Sequence, residues 1–292
     1  MSSPLGALAA LGSSFTWAYA SPRYTQLSRG AGSLRINRAR VLIVLPIYAA
    51  VALLDPAPWS ALSAAKLGWL AAASFCSYGF ADSLFFAAGR RIGISTASAI
   101  ASIYPLWAAV SGILFGSEPL GLQRAAGALL CVGGVIALIQ LTPARREHAR
   151  DRHDLTGIAL ALVTSLFWAM NTVATRYGAA DLTLWQSNAL RYGLALGMLS
   201  AGLLLVPRDG DGSPIQWRRM FPPALADCLC GSLMFVYGLT HAPLGIAAPL
   251  TALAPLISVP VAIALGEERW SGPRFMAIAA TVAGVVILVT AS

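Results

Sequence analysis

Residues 116–124 read GSEPLGLQR, and residues 266–274 read GEERWSGPR. Each is a short polar break between two apolar runs. They share Gly at the first place (Gly116, Gly266), Glu at the third (Glu118, Glu268) and Arg at the last (Arg124, Arg274). Punctuation repeated 150 residues apart raises the question of whether the apolar runs around it are repeated too.

The composition sets the class. Of 292 residues, 57% are hydrophobic and 11% charged, and the mean hydropathy is +0.70; a soluble domain carries about 25% charged residues. Val41–Leu54, Leu67–Ala81, Ile92–Ser117 and Ala125–Ala144 contain no charge. A helix needs roughly 20 mostly apolar residues to cross a bilayer, where each backbone polar group must be satisfied within the segment. The chain therefore reads as an all-α, polytopic integral membrane protein whose first partner is the lipid bilayer. The net charge of +8 comes from 20 basic residues, of which only Lys66 is not arginine. Nearly all lie between or at the ends of apolar runs, as the positive-inside rule places them, so no nucleic-acid partner is expected. Cys76, Cys131, Cys228 and Cys230 sit in apolar runs without metal-ligand spacing and read as packing residues. Neither a metal nor a cofactor is expected. Ala18-Tyr19-Ala20 imitates a cleavage site, but Met1–Ser14 lacks a basic n-region, so the segment reads as a retained first helix.

The apolar runs give ten spans: 5–25, 36–54, 66–88, 94–115, 121–141, 155–177, 184–206, 220–241, 245–265 and 271–290. The polar linker TPARREHARDRHD, residues 142–154, divides them into halves 1–141 and 155–292. Gly6 matches Gly157, Trp17-Ala18 matches Trp168-Ala169, Asn37 matches Asn188 and Arg40 matches Arg191, all displaced by 151; Pro105-Leu106 matches Pro255-Leu256 and Gly134-Val135 matches Gly284-Val285, displaced by 150. Five crossings are an odd number, so the second copy enters from the opposite face. Such inverted repeats place a substrate site between them near the midplane.

With Pro105, Gly116-Ser117-Glu118, Gly127 and Gly133-Gly134 matched by Pro255, Gly266-Glu267-Glu268, Ala277 and Gly284, the chain resembles the drug/metabolite transporter superfamily. It is similar to the ten-helix members built from two EamA repeats; Ala277 departs from the usual Gly. The resemblance implies ten transmembrane helices as two inverted five-helix repeats around a central cavity, lined by spans one, three, four, six, eight and nine, with transport by alternating access and no enzymatic activity.

Polar residues inside spans face a bundle interior or a wet cavity. Helical stripes run along the same six spans: Ser13, Thr16, Trp17, Ala20 and Tyr24; Ser74, Tyr78 and Asp82; Ser95, Ser98, Ser102 and Pro105; Thr164, Trp168, Asn171 and Thr175; Asp227, Cys230, Met234, Tyr237 and His241; Thr251, Pro255 and Ser258. The expected cavity residues are Thr16, Trp17, Tyr78, Ser98, Ser102, Tyr104, Trp168, Asn171, Tyr237, Thr251 and Ser258. Such a wall is aromatic and hydroxylated with few charges, and prolines 105, 249, 255 and 260 free carbonyls for an ammonium group. It fits a small neutral or zwitterionic metabolite, above all an amino acid, as in the YddG-type amino-acid exporters that the chain resembles. A nucleobase, a purine or a small cation is the alternative cargo.

Arg40, Asp82 and Asp227 are the expected gating or coupling group, since both acids fall roughly 10 Å inside one face at 1.5 Å per residue and Arg40 enters from that face. Arg191 is expected to pair with Asp181. An intramembrane aspartyl protease using Asp82 and Asp227 is a competing class, yet Gly79-Phe80-Ala81-Asp82 only loosely echoes GxGD and comes first in order rather than second. A scaffold without transport would not need six repeat-related polar stripes. On one face 16 of the 20 basic residues collect, leaving Lys66, Arg124, Arg176 and Arg191 on the other. The richer face is expected to be cytoplasmic. Both termini then lie outside a bacterial-type inner membrane, opposite to many ten-helix relatives. The residues leave open monomer or homodimer. The opening nonamers read as turns joining helices four to five and nine to ten, with Glu118 and Glu268 as turn and cap residues.

Overall fold

Hydrocarbon offers no hydrogen-bond partner to a peptide group, and the chain answers with helices. The computed structural model describes residues 4–107, 122–141, 154–205, 210–242, 247, 250–251, 253–266 and 269–290. Most of GSEPLGLQR, with Glu118, lies outside the described residues, as do Glu268, Pro249 and most of the linker. Among the described residues no strand occurs, and the helical segments are α1 Pro4–Ala31, α2 Ser33–Leu54, α3 Ala64–Ile92, α4 Ile94–Ala101, α5 Leu122–Leu141, α6 Leu155–Gly178, α7 Leu184–Leu205, α8 Trp217–His241, α9 Ala254–Ala264 and α10 Gly272–Thr290. Five of them, α2, α3, α6, α7 and α8, are long and apolar enough to cross a membrane.

Helix α1 continues six residues past the apolar run. Its last turn buries Ser28 and Ala31, and Arg90 of α3 donates to the Ser28 carbonyl at 3.1 Å and to its Oγ at 3.0 Å. The chain then turns into α2 through Gly32 alone, at φ 88°, as Gly93 at φ 84° turns α3 into α4. Both angles lie where a side chain is strained.

The third helix of each half is interrupted at the same place. In α3 a π-helical turn covers Phe75–Gly79; in α8 one covers Ala224–Gly231, which contains the positions 151 residues on. Such a turn withdraws carbonyls from the α-helical ladder. In α8 the Tyr48 hydroxyl lies 2.9 Å from the Cys228 carbonyl and 2.8 Å from that of Leu229, and the Tyr192 hydroxyl lies 2.8 Å from that of Cys228.

Helix pairing repeats when the halves are exchanged. Helix α3 packs on α6 as α8 packs on α1, α4 meets α6 as α9 meets α1, and α2·α7, α4·α9 and α5·α10 are their own images. A Cβ at Gly6 would stand 3.0 Å from the Ala242 nitrogen, and one at Gly157 would stand 2.6 Å from Ile92 Cγ2; these contacts correspond across the halves. Trp17 and Trp168 meet each other edge to face, with ring centroids 5.5 Å apart.

Helices α5 and α10 form a pair of their own, held by small residues that let backbones approach. A Cβ at Gly284 would collide with the Cys131 nitrogen and lie 2.7 Å from the Gly127 oxygen, whereas one at Gly133 would meet nothing within 4 Å. Gly284→Ala is expected to lower stability in detergent by about 1–3 kcal/mol through overpacking. Gly133→Ala should be neutral or slightly stabilising through helix propensity. Thermal melts of the two variants check this.

Candidate functional site

A cleft of about 740 Å³, counting the space that opens at its mouth, lies where the two halves meet. Ser13, Ser14 and Trp17 come from α1, Ser77, Tyr78 and Asp82 from α3, and Ser102 and Tyr104 from the segment just after α4. The second half contributes Trp168, Asn171 and Thr172 of α6, Arg191 of α7, Asp227, Gly231, Ser232 and Phe235 of α8, Thr251, and Ala254 of α9. Among the described residues, α5 and α10 contribute nothing.

Beneath one side of this wall is a charged cluster. Arg40 is fully buried and donates through Nη2 to Asp82 Oδ2, while its Nη1 stands 3.6 Å from Asp227 Oδ2. Trp168 Nε1 donates to the other oxygen of Asp82 at 2.9 Å. Ring centroids of Trp17, Tyr24, Tyr78 and Phe86 lie 5.0–5.8 Å from Arg40 Cζ, within cation–π range. The chemistry is a guanidinium with two acids: Asp82 is 3% exposed, and the Asp227 side chain keeps 12% of its surface open.

A matching layer surrounds the second arginine. Asn37 donates to Ser83 Oγ at 2.6 Å in the first half; in the second, Ser232 Oγ donates to Asn188 Oδ1 at 2.7 Å. Arg191 reaches Asn188 Oδ1 at 3.2 Å, with Ser232 Oγ and Asn171 Oδ1 each at 3.5 Å. The hydroxyls of Tyr78 and Tyr192 lie 2.8 Å apart, and that of Tyr78 is 3.3 Å from Ser232 Oγ.

Of the positions expected from the sequence, Trp17, Tyr78, Ser102, Tyr104, Trp168, Asn171 and Thr251 share this wall, and Tyr104 and Thr251 touch through their hydroxyls. Four stand elsewhere. Thr16 packs where α1 crosses Gly231 and donates to the Ser13 carbonyl at 2.8 Å. Ser98 is buried between helices, its Oγ without a hydrogen-bond partner among the described residues. Tyr237 stacks on His241 at 4.0 Å, and Ser258 is fully buried off the cavity. Asp82 and Asp227 reach the wall, whereas Arg40 stands behind it. The charges on the wall are Asp82, Asp227 and Arg191; the two acids were expected as a gating or coupling group, and Arg191 was not expected at the cavity. Asp181 is exposed and pairs with Lys66 at 3.1 Å rather than with buried Arg191. Ser14, Ser77, Thr172, Ser232 and Phe235 are lining residues that the site reading missed.

A bundle of apolar helices around a cleft lined by rings, hydroxyls, amides and charges, shared by two related halves, defines a polytopic protein of the transporter type. Residues 4–140 and 155–290 each match the EamA-like transporter family, so the chain belongs to that family. A solved crystal structure, described simply as that of a protein, is similar in fold: the TM-score is 0.66 at 16% identity, over 97% of this chain and 96% of the other. No curated protein matches the sequence.

The charged cluster is testable by itself. Arg40→Gln leaves buried Asp82 and partly open Asp227 without their cation and is expected to cost about 3–5 kcal/mol. Asp82→Asn should cost less, because Asp227 remains beside Arg40. Detergent melts followed by tryptophan fluorescence rank the two; an Asp82→Asn penalty equal to or above that of Arg40→Gln would contradict the assignment of Arg40 as the shared partner.

Proposed function

We propose that this protein is a secondary transporter working by alternating access, and that it exports amino acids or similar small neutral or zwitterionic metabolites, aromatic ones included. The observation that carries the reading is the composition of the cleft: aromatic rings from both halves (Trp17, Tyr78, Tyr104, Trp168, Phe235), a set of hydroxyls and amides, and charges of both signs. Rings suit an apolar side chain, hydroxyls and amides suit polar groups, and opposite charges suit a zwitterion. Likeness to YddG-type exporters belongs to the same proposal.

The proposed topology is ten spans in two inverted five-helix repeats, 1–141 and 155–292, joined by the linker 142–154. The exchange-symmetric pairing of helices supports it, and so do the matched π-helical turns in α3 and α8, a feature frequent at functional sites. Such turns give each half an equivalent place at which to bend. The position of Arg40 between Asp82 and Asp227 speaks against an aspartyl protease, whose two acids share a proton with each other. The bias of the basic residues supports a topology with both termini outside a bacterial-type inner membrane. A reporter fused after Ser292 and active only in the cytoplasm would reverse that orientation.

Counterflow in proteoliposomes tests the function. Vesicles loaded with unlabelled phenylalanine, tryptophan or a small neutral amino acid are expected to accumulate labelled amino acid faster than protein-free vesicles. Exchange of nucleobases or amines alone would move the cargo to another class, and no exchange of any solute would remove the transport reading.

A further inference from the structure

Arg40 and Arg191 occupy the same place in their repeats, yet their surroundings differ by a whole charge. Arg40 is held by Asp82 of α3. At the corresponding position of α8, 151 residues on, stands Leu233. Arg191 has no acidic partner among the described residues; its contacts are neutral acceptors at 3.2–3.5 Å, and its Nε, like that of Arg40, has no hydrogen-bond partner among the described residues. The residue is 1% exposed and lies on the cavity wall. A charge buried at membrane depth is costly unless something of opposite sign reaches it.

The geometry points to Arg191 as the anchor for a carboxylate carried by the substrate, which would fill at Arg191 the role that Asp82 fills at Arg40. This rests on the transporter reading above and narrows its cargo to solutes bearing a carboxylate. A guanidinium fork matches the planar, two-oxygen carboxylate, and the rings of Tyr78 and Phe235, 5.5 and 5.8 Å from Arg191 Cζ, flank the site. Charge balance favours a carboxylate over a phosphate ester. Arg40 and Arg191 are already matched in number by Asp82 and Asp227, so a phosphate dianion would leave two uncompensated charges. The carboxylate of a zwitterion brings its own ammonium, and Asp227 on the same wall is the partly open acid available to it.

Calorimetric titration of the purified full chain in detergent tests this with four probes sharing one ring: phenylalanine, phenethylamine (no carboxylate), phenylacetate (no ammonium) and phenyl phosphate. The wild type is expected to bind phenylalanine at least tenfold more tightly than phenethylamine. Arg191→Gln should abolish that difference, and Arg191→Lys should keep some of it. Equal affinity for phenylalanine and phenethylamine in the wild type overturns the inference, and that comparison stands even if the variants do not fold. Unchanged phenylalanine binding in a folded Arg191→Gln overturns it as well, as does tighter binding of phenyl phosphate than of phenylacetate, or no measurable binding of any carboxylate. Should counterflow with amino acids fail, the transporter reading falls separately. Phenylacetate binding then decides the anchor: a tenfold loss in Arg191→Gln sustains it, and a smaller loss ends it.

Discussion

A guanidinium sealed among apolar helices persists only where acids and ring faces replace the water it has lost. Arg40 meets that condition by drawing on much of the bundle. Its acids come from α3 and α8, its rings from α1 and α3, and Trp168 of α6 completes the hydrogen bonding of Asp82. Helices of both halves are thereby fixed around one charge. The same side chains, Trp17, Tyr78, Asp82, Trp168 and Asp227, then present their other surfaces to the cleft. The shape of that stretch of wall is a consequence of how the arginine is compensated.

The halves repeat each other in helix pairing and in the π-helical turns, but the chemistry on that frame is not repeated. Tyr48 and Tyr192 satisfy carbonyls released in α8. Around the turn of α3 the side-chain bonds differ: Ser74 Oγ lies 2.7 Å from the Leu70 carbonyl of its own helix and 2.9 Å from the Arg191 carbonyl of α7, and Thr164 Oγ1 lies 3.3 Å from that of Ala81. A shared backbone device supported by different side chains leaves each half free to acquire its own charges. That is how both acids come to serve one arginine.

Much of this was legible in the sequence because the signals were periodic. The displacement of 150–151 residues marks the paired positions, and Gly6, Gly157, Trp17 and Trp168 do meet their neighbours as images of one another. The stripes failed where the period failed. In α8 the series Asp227, Cys230, Met234, Tyr237 assumes unbroken α-helical spacing, but the wide turn over Ala224–Gly231 rotates the residues C-terminal to it. Ser232 and Phe235 therefore take the wall, and Tyr237 turns to His241. Ser98 and Ser258 keep the helical spacing and are nonetheless buried between helices, since a small hydroxyl serves packing as readily as a cavity. Arg191 was misassigned for another reason: Asp181 is near in sequence, but it stands on the exposed turn beside Lys66.

The two arginine layers lie in repeat-related positions, and their strengths differ. The first is built from ion pairs and a charge-assisted bond from Trp168, a class worth about 1.5–3 kcal/mol per bond. The second has two short neutral bonds, Ser232 to Asn188 and Tyr192 to Tyr78, and long contacts around Arg191; neutral bonds contribute about 0.5–1.5 kcal/mol each. A carrier that opens to one face at a time must separate one of these layers while the other holds. On these energies the second layer separates more readily as it stands. An anion bound at Arg191 changes the comparison by giving that layer the counter-charge it lacks. Under the proposed alternating access, unequal layers make a carboxylate cargo the element that brings the two closures towards balance.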